Sequence, residues 1–438
     1  MSSLRYLVPY LVFAFFLIRS RRSPIYLISL PLVLLFGAAL YLDFYLVRVA
    51  VAGVQFGLQD IFLVLQLLGW GYIVLKRPSG QQITRNFGYR VALIALAYYF
   101  VIMVLSLPSL ERVFSNAILT FPRFFYLPLG FLIMLDTYRR FTRREVMMLL
   151  RDLSAVTVFL SFLYILNALL PGSVYELKGS DYIAELDIVR LYSAFPYWSR
   201  LAILYLAVSS TSKLIAWGGL GILVFSAVFY YSRSFLLIAL LSILCGQLVV
   251  WAKKRRMQLI IRQMVTIGLL LVVLLAAITV ARPQVDFLAR RFEGILNFGI
   301  SADVNLQERM EYYRVAWLAI EHTDAWMGLG AFSSGSDNVW ITGSWDSDYF
   351  PVIVCTGLIG VAVYLIPQLM ALVASFFLLA KRSGEGFTLS LIAGLYVLGN
   401  LIWSLFSINY TLYPTLSTFA LVLVAIESDS LWMQPERV

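Results

Sequence analysis

Arginines and carboxylates crowd into one stretch of this chain. Arg282, Arg290, Arg291, Arg309 and Arg314 stand among acidic residues, together with the single histidine, His322, in a hydrophilic run of roughly residues 282–345. Two more arginines, Arg190 in VRLYSAFPYWSRLA and Arg233 in SRSFLLIALLSIL, lie where polar sequence meets apolar sequence. A guanidinium is always charged and offers a planar fork of donors, so grouped arginines suit an oxyanion better than lysines do. The run closes on GSWDSDYF, which sets Asp346 and Asp348 just before the next apolar segment. A carboxylate there can accept a proton from a hydroxyl; equally, it can cap the N-terminus of the helix that follows.

The segments that must hold these groups are membrane spans. Hydrophobic residues make up 61% of the 438 residues and charged residues 13%, too apolar a balance for a water-soluble globule. Apolar runs long enough to cross the hydrocarbon recur throughout, and the length accommodates about 12–14 transmembrane helices with short connectors, a single transmembrane domain over 1–438. We expect an all-α polytopic membrane protein. No cleavable leader is expected: the apolar run Tyr6–Ile18 is followed by Arg19, Arg21 and Arg22, with no small-residue cleavage site. Spans are expected near 4–18, 25–42, 54–75, 91–107, 117–135, 153–170, 199–211, 214–231, 235–251, 264–280, 349–378, 388–407 and 411–427. The short pair flanking Lys213 is compatible with one broken helix.

The formal charge of +10 is explained by topology. Most Lys and Arg fall on one side, in clusters such as Arg139, Arg140, Arg143 and Arg144 or Lys253 to Arg256, the bias of cytoplasmic loops. The excess reports orientation and contact with anionic lipid rather than a nucleic-acid partner. Cys245 and Cys355 fall inside spans at unrelated depths and are expected as free thiols. On the opposite side two loops stand out, 171–198 and 281–347. No internal repeat is visible, which argues against a transporter built from inverted repeats.

Within the larger loop, Leu306, Met310, Tyr313, Trp317 and Ile320 fall at spacings of four and three, an amphipathic helix over about 303–321. Glu311 and Arg314 are spaced to pair at i,i+3. The helix either rests on the lipid interface or builds a site along its inner edge. Gly328, Gly330 and Gly335 then make a turn-rich stretch in which backbone can approach another group closely. Arg123, in LTFPRFFYLPLG between Pro122 and Pro128, falls inside a span; it snorkels or faces a polar cavity, because a buried charge is costly there.

These motifs resemble the bacterial O-antigen ligase and Wzy-type polysaccharide polymerase superfamily. The matching features are Arg309, the aromatic-bearing helix with Tyr313 and Trp317, the turn at Gly328 and Gly330, then Asp348 ahead of a span holding Gly357 and Gly360. Arg233 in its Ser-Arg and Arg190 in the preceding outer loop match two further segments. The resemblance implies a metal-independent glycosyltransferase of the C superfamily, without cofactor, in the bacterial inner membrane with its site facing the periplasm. It implies undecaprenyl-pyrophosphate-linked glycans as donor and acceptor, bulk membrane lipid around them, and a chain-length-regulating co-polymerase as a partner. Arg190, Arg233, Arg291 and Arg309, with Arg123 and Arg314, would grip the pyrophosphate. Asp348, with Asp346 behind it, would take the acceptor proton. Ligases of the superfamily usually carry a histidine where this chain has Asp348, so polymerisation is favoured over transfer to lipid A core. A lipid-linked oligosaccharide flippase or other transporter is the alternative of another class.

Overall fold

Apolar sequence folds into helices here because a backbone surrounded by hydrocarbon must satisfy its own N–H and C=O groups. A computed structural model describes residues 4–29, 48–51, 54–78, 83–106, 122–169, 180–183, 188–191, 195–209, 213–228, 233–254, single positions between 268 and 293, 304–321, 325–328, 330, 349–405 and 414–429. In chain order the helices are α1 (Leu4–Ser20), α2 (Ile25–Ile28), α3 (Leu58–Lys76), α4 (Phe87–Ser106), α5 (Pro122–Tyr138), α6 (Arg143–Leu169), α7 (Phe195–Val208) and α8 (Lys213–Val228). They continue with α9 (Arg233–Lys254), α10 (Val304–Glu321), α11 (Tyr349–Lys381), α12 (Gly384–Trp403) and α13 (Pro414–Asp429). Two short antiparallel hairpins interrupt them, β1 (Arg48–Val51) with β2 (Val54–Gly57) and β3 (Ser180–Ile183) with β4 (Ile188–Leu191).

Five described segments are long and apolar enough to cross a membrane: Phe87–Ser106, Arg143–Leu163, Phe235–Lys253, Val352–Lys381 and Gly384–Trp403. Shorter apolar helices accompany them, including Phe125–Tyr138 and Trp198–Val208. Large apolar side chains are exposed along them, among them Ile94, Phe100, Leu248 and Phe376, as expected of surfaces that face lipid rather than water. The chain is an α-helical membrane protein. The expected spans 25–42 and 264–280 fall largely outside the described residues. The pair flanking Lys213 is two helices, α7 and α8, and the expected span from residue 54 begins as helix only at Leu58, because 54–57 is strand β2.

The chain divides into two compact units, each drawn from three stretches. The first comprises Met1–Leu65, Phe141–Glu293 and Ser383–Tyr396; in it α6 packs on α7 and α8, and α7 on α9. A capping box starts α6: the Glu145 N–H donates to Thr142 Oγ1 at 3.2 Å and the Thr142 N–H to Glu145 Oε2 at 2.9 Å. Asp152, buried one residue after Arg151, accepts from Arg19 Nε at 3.0 Å, Arg151 Nε at 3.1 Å and the Tyr26 hydroxyl at 2.8 Å.

The second unit comprises Gln66–Arg140, Gly294–Arg382 and Val397–Val438. Here α5 packs on α4 and α13, and α11 on α4, α10 and α13. Asp136 gathers three donors: Trp70 Nε1 at 2.7 Å, Arg139 Nη2 at 2.6 Å and Arg140 Nη2 at 2.9 Å. Arg139 and Arg140 are thus buried against a carboxylate, a role more specific than the lipid contact expected of the basic loops. Hydroxyls inside spans return their protons to the carbonyl one turn back, as Ser106, Thr356 and Ser375 do.

Candidate functional site

The outer-side groups singled out from the sequence divide between the two units. In the first, Arg190 lies on β4 with Asp181 directly opposite it on β3, and Arg233 opens α9. In the second, Arg123 is the second residue of α5, and Arg309 and Arg314 lie on α10, which packs against α11. The side chains of Arg190, Arg233, Arg123 and Arg309 lie outside the description, as do Arg291, His322, Asp346 and Asp348 altogether. Asp348 immediately precedes Tyr349, where α11 begins.

Arg314 is described in full. Its Nε and Nη2 fork onto the Glu311 carboxylate at 2.8 and 2.5 Å, both side chains well exposed. The hydrogen bond from Arg314 holds the Glu311 carboxyl below its ordinary range, and the same bond raises Arg314. The fork is therefore occupied by a neighbour on the same helix. Arg282, likewise exposed, faces Asp286 at 3.8 Å. On α10 the apolar stripe stays open: Met310 is 66% and Trp317 49% exposed, which suits a helix resting its face on an interface.

The Gly-x-Gly turn and the glycines of the following span come together in space. Gly328 and Gly330 have φ of 71° and 93°, and Gly357 breaks α11 with φ 60° and ψ −162°, a region essentially confined to glycine. The turn Ala325–Gly328 lies directly on that break. The Leu358 N–H donates to the Ala325 carbonyl at 3.0 Å and the Ile359 N–H to the Trp326 carbonyl at 3.2 Å. Tyr98 from α4 donates its hydroxyl to the Thr356 carbonyl at 2.6 Å. Backbone groups flanking the interruption thereby find partners, as non-helical backbone within an apolar segment requires. A Cβ on Gly357 would stand 2.5 Å from both Gly328 N and Trp326 O, and one on Gly330 would stand 2.6 Å from Ser106 Oγ.

The break is also a reversal. Tyr349 and Tyr364 stack edge to face with ring centroids 5.7 Å apart, whereas a straight helix would separate their Cα atoms by about 22 Å at 1.5 Å per residue. Tyr349–Thr356 is therefore a half-helix folded back along the start of the span proper, and the Tyr349 hydroxyl donates to the Leu401 carbonyl of α12 at 3.0 Å. The apolar run predicts one continuous span over 349–378; the left-handed glycine at 357 divides it.

One buried cation escaped the sequence reading. Arg200, on α7 in the first unit, is fully buried, its guanidinium 4.0 Å from the Tyr396 ring centroid and its Nη2 donating to the Tyr396 carbonyl at 2.8 Å. Desolvated stacking of this kind is worth about 2 kcal/mol or more. The available signal was an arginine just inside an apolar run, the pattern already noted at Arg123. Among the described residues no group of His, Cys, Asp and Glu is arranged to hold a metal.

The fold and the broken helix define a polytopic α-helical membrane protein with a folded-back segment at one end of a span. Compared with protein-family models and with curated proteins, the chain matches none.

Proposed function

We propose that the protein is a polysaccharide polymerase of the glycosyltransferase C kind. It would work in the bacterial inner membrane and join undecaprenyl-pyrophosphate-linked repeat units at the periplasmic face. The observation that carries the reading is the half-helix Tyr349–Thr356 clamped by the turn Ala325–Gly328. Irregular backbone is kept at membrane depth where it lines a binding cavity, and this segment follows Asp346 and Asp348 in the chain while α10, bearing Arg309, packs on α11.

In this mechanism the acceptor sugar hydroxyl attacks the anomeric carbon of the growing glycan as its C–O bond to the diphosphate breaks. The electron pair leaves with undecaprenyl pyrophosphate, and the hydroxyl proton passes to the Asp348 carboxylate, with Asp346 in support. Charge gathers on the leaving diphosphate, and preorganised guanidiniums there can contribute several kcal/mol. Arg190, Arg233, Arg291 and Arg309 take that role, with Arg123 behind them; Arg314 joins only by releasing Glu311.

The test is a ladder assay with purified protein and a lipid-linked repeat unit. Arg190→Lys and Arg309→Lys should lose polymer while membrane abundance holds, because an ammonium cannot reproduce the fork. Asp348→Ala should stop turnover yet still bind lipid-linked substrate. Wild-type chain lengths in these variants would overturn the assignment. A transporter is the second reading, favoured by the interrupted helix at Gly357, since transporters place such breaks at their binding sites; substrate crossing vesicles without ladder formation would select it.

A further inference from the structure

A cavity of about 250 Å³ lies among α4, α5, α11 and α13, all within the second unit. Its lining is almost wholly apolar, and small side chains make the hollow: Ala92 and Ala95 on α4, Ala371 and Ala374 on α11. Pro128 and Pro367 interrupt the hydrogen bonding of two lining helices beside it. The deep end is closed by Tyr99, which is buried, while Phe87, Met370, Ser428 and Asp429 leave the rim exposed.

Asp429 is the only charged group among the described lining residues, which also include Asn86. Asn86 itself is committed to structure, accepting from the Tyr89 N–H at 3.1 Å and donating to the Ala425 carbonyl at 3.2 Å. Exposed Arg85 and Arg90 stand at the same end of α4. An apolar slot with a carboxylate at its mouth and arginines nearby complements a chain whose head carries an ammonium beside a phosphate.

We propose that this groove binds one acyl chain of an amine-bearing zwitterionic phospholipid, with the ammonium at Asp429. The site is separate from the polymerase chemistry and does not rest on it. Phosphoglycerol lipids, which offer no cation to Asp429, are disfavoured.

The experiment uses the full-length protein, stripped of lipid in detergent and equilibrated with equal amounts of dioleoyl phosphatidylethanolamine and dioleoyl phosphatidylglycerol, then read by native mass spectrometry. The wild type should retain one phosphatidylethanolamine in preference to phosphatidylglycerol. Ala374→Trp fills the hollow and should lower retention about tenfold, equivalent to about 1.4 kcal/mol. Asp429→Asn leaves the packing intact and should erase the headgroup preference, a change of about threefold, the scale of an exposed ion pair. Monodispersity and thermal unfolding serve as folding controls for both. Equal retention of the two lipids by the wild type, undiminished retention in folded Ala374→Trp, unchanged preference in Asp429→Asn, or a co-purified polyprenyl lipid in the groove would each overturn the proposal.

Discussion

Replacing Gly357 by alanine adds one methyl group at the place where the chain has least room for it. The new Cβ would lie 2.5 Å from Gly328 N and from Trp326 O; both are backbone atoms, so no rotamer change relieves the contact. The φ of 60° with ψ −162° costs a non-glycine residue about 1–3 kcal/mol by itself. Relief requires the turn to withdraw by about 1 Å, which carries the bonds at Leu358 and Ile359 past hydrogen-bonding range. Their loss costs about 0.5–1.5 kcal/mol each, so the clamp should weaken by about 2–6 kcal/mol in total. The direct assay is amide hydrogen exchange of purified protein. At the lower limit the Leu358 and Ile359 amides should exchange about thirtyfold faster than in the wild type. Gly71→Ala and Gly218→Ala are the controls: a Cβ at either position meets nothing within 4 Å, and alanine in a helix is favoured by about 1 kcal/mol. Wild-type exchange at 358 and 359 in Gly357→Ala would refute the clamp, because a methyl group cannot occupy that space with the turn in place.

Two further outcomes follow from paired charges. Asp136→Asn leaves Arg139 and Arg140 buried without their carboxylate; the thermal unfolding of the purified protein should fall by the equivalent of about 2–4 kcal/mol, somewhat under the usual figure for breaking a buried pair because Asp136 retains some exposure, and an unchanged midpoint would remove the cluster from the list of stabilising contacts. Glu311 is held below its ordinary range by Arg314, so the stabilisation it lends α10 is present above that range and is lost as pH falls through the lowered value. Arg314→Gln should remove that acid-range loss, read by exchange of the α10 amides across acid pH; coincident profiles for both proteins would show that the fork makes no contribution.

Hydropathy located the described apolar helices, five of them long enough to cross a membrane, because it acts locally: an apolar run must form its own hydrogen bonds. The helix over Val304–Glu321 and its Glu311–Arg314 pair were legible for the same reason. Long-range partners were not. Nothing local to Arg139 and Arg140 distinguishes a lipid-facing pair from one that encloses Asp136 and also reaches Trp70 on α3. Arg200 shows the limit from the other side, since its stacking partner Tyr396 lies far along the chain. The arginines proposed to grip pyrophosphate, Arg190, Arg233, Arg291 and Arg309, come from the sequence pattern alone.

Gly328 and Gly357 carry the synthesis furthest. Each was noticed in the sequence as part of a motif in which a glycine turn precedes a glycine-bearing span, with no reason given for the pairing. The geometry supplies one: the two glycines, both left-handed, face each other with no room for a side chain at either. Substituting either one alone therefore strains both segments. Gly330 lies beside Ser106 of α4, and Tyr349, which opens the half-helix, is held at Leu401 of α12. Asp346 and Asp348 directly precede Tyr349 in the chain, so a lesion at Gly357 should reach the proposed proton acceptor through the half-helix that follows it while leaving its chemistry untouched. Loss of polymer in Gly357→Ala together with retained membrane abundance and accelerated exchange at Leu358 would be the signature of that route; loss of polymer with wild-type exchange would require another.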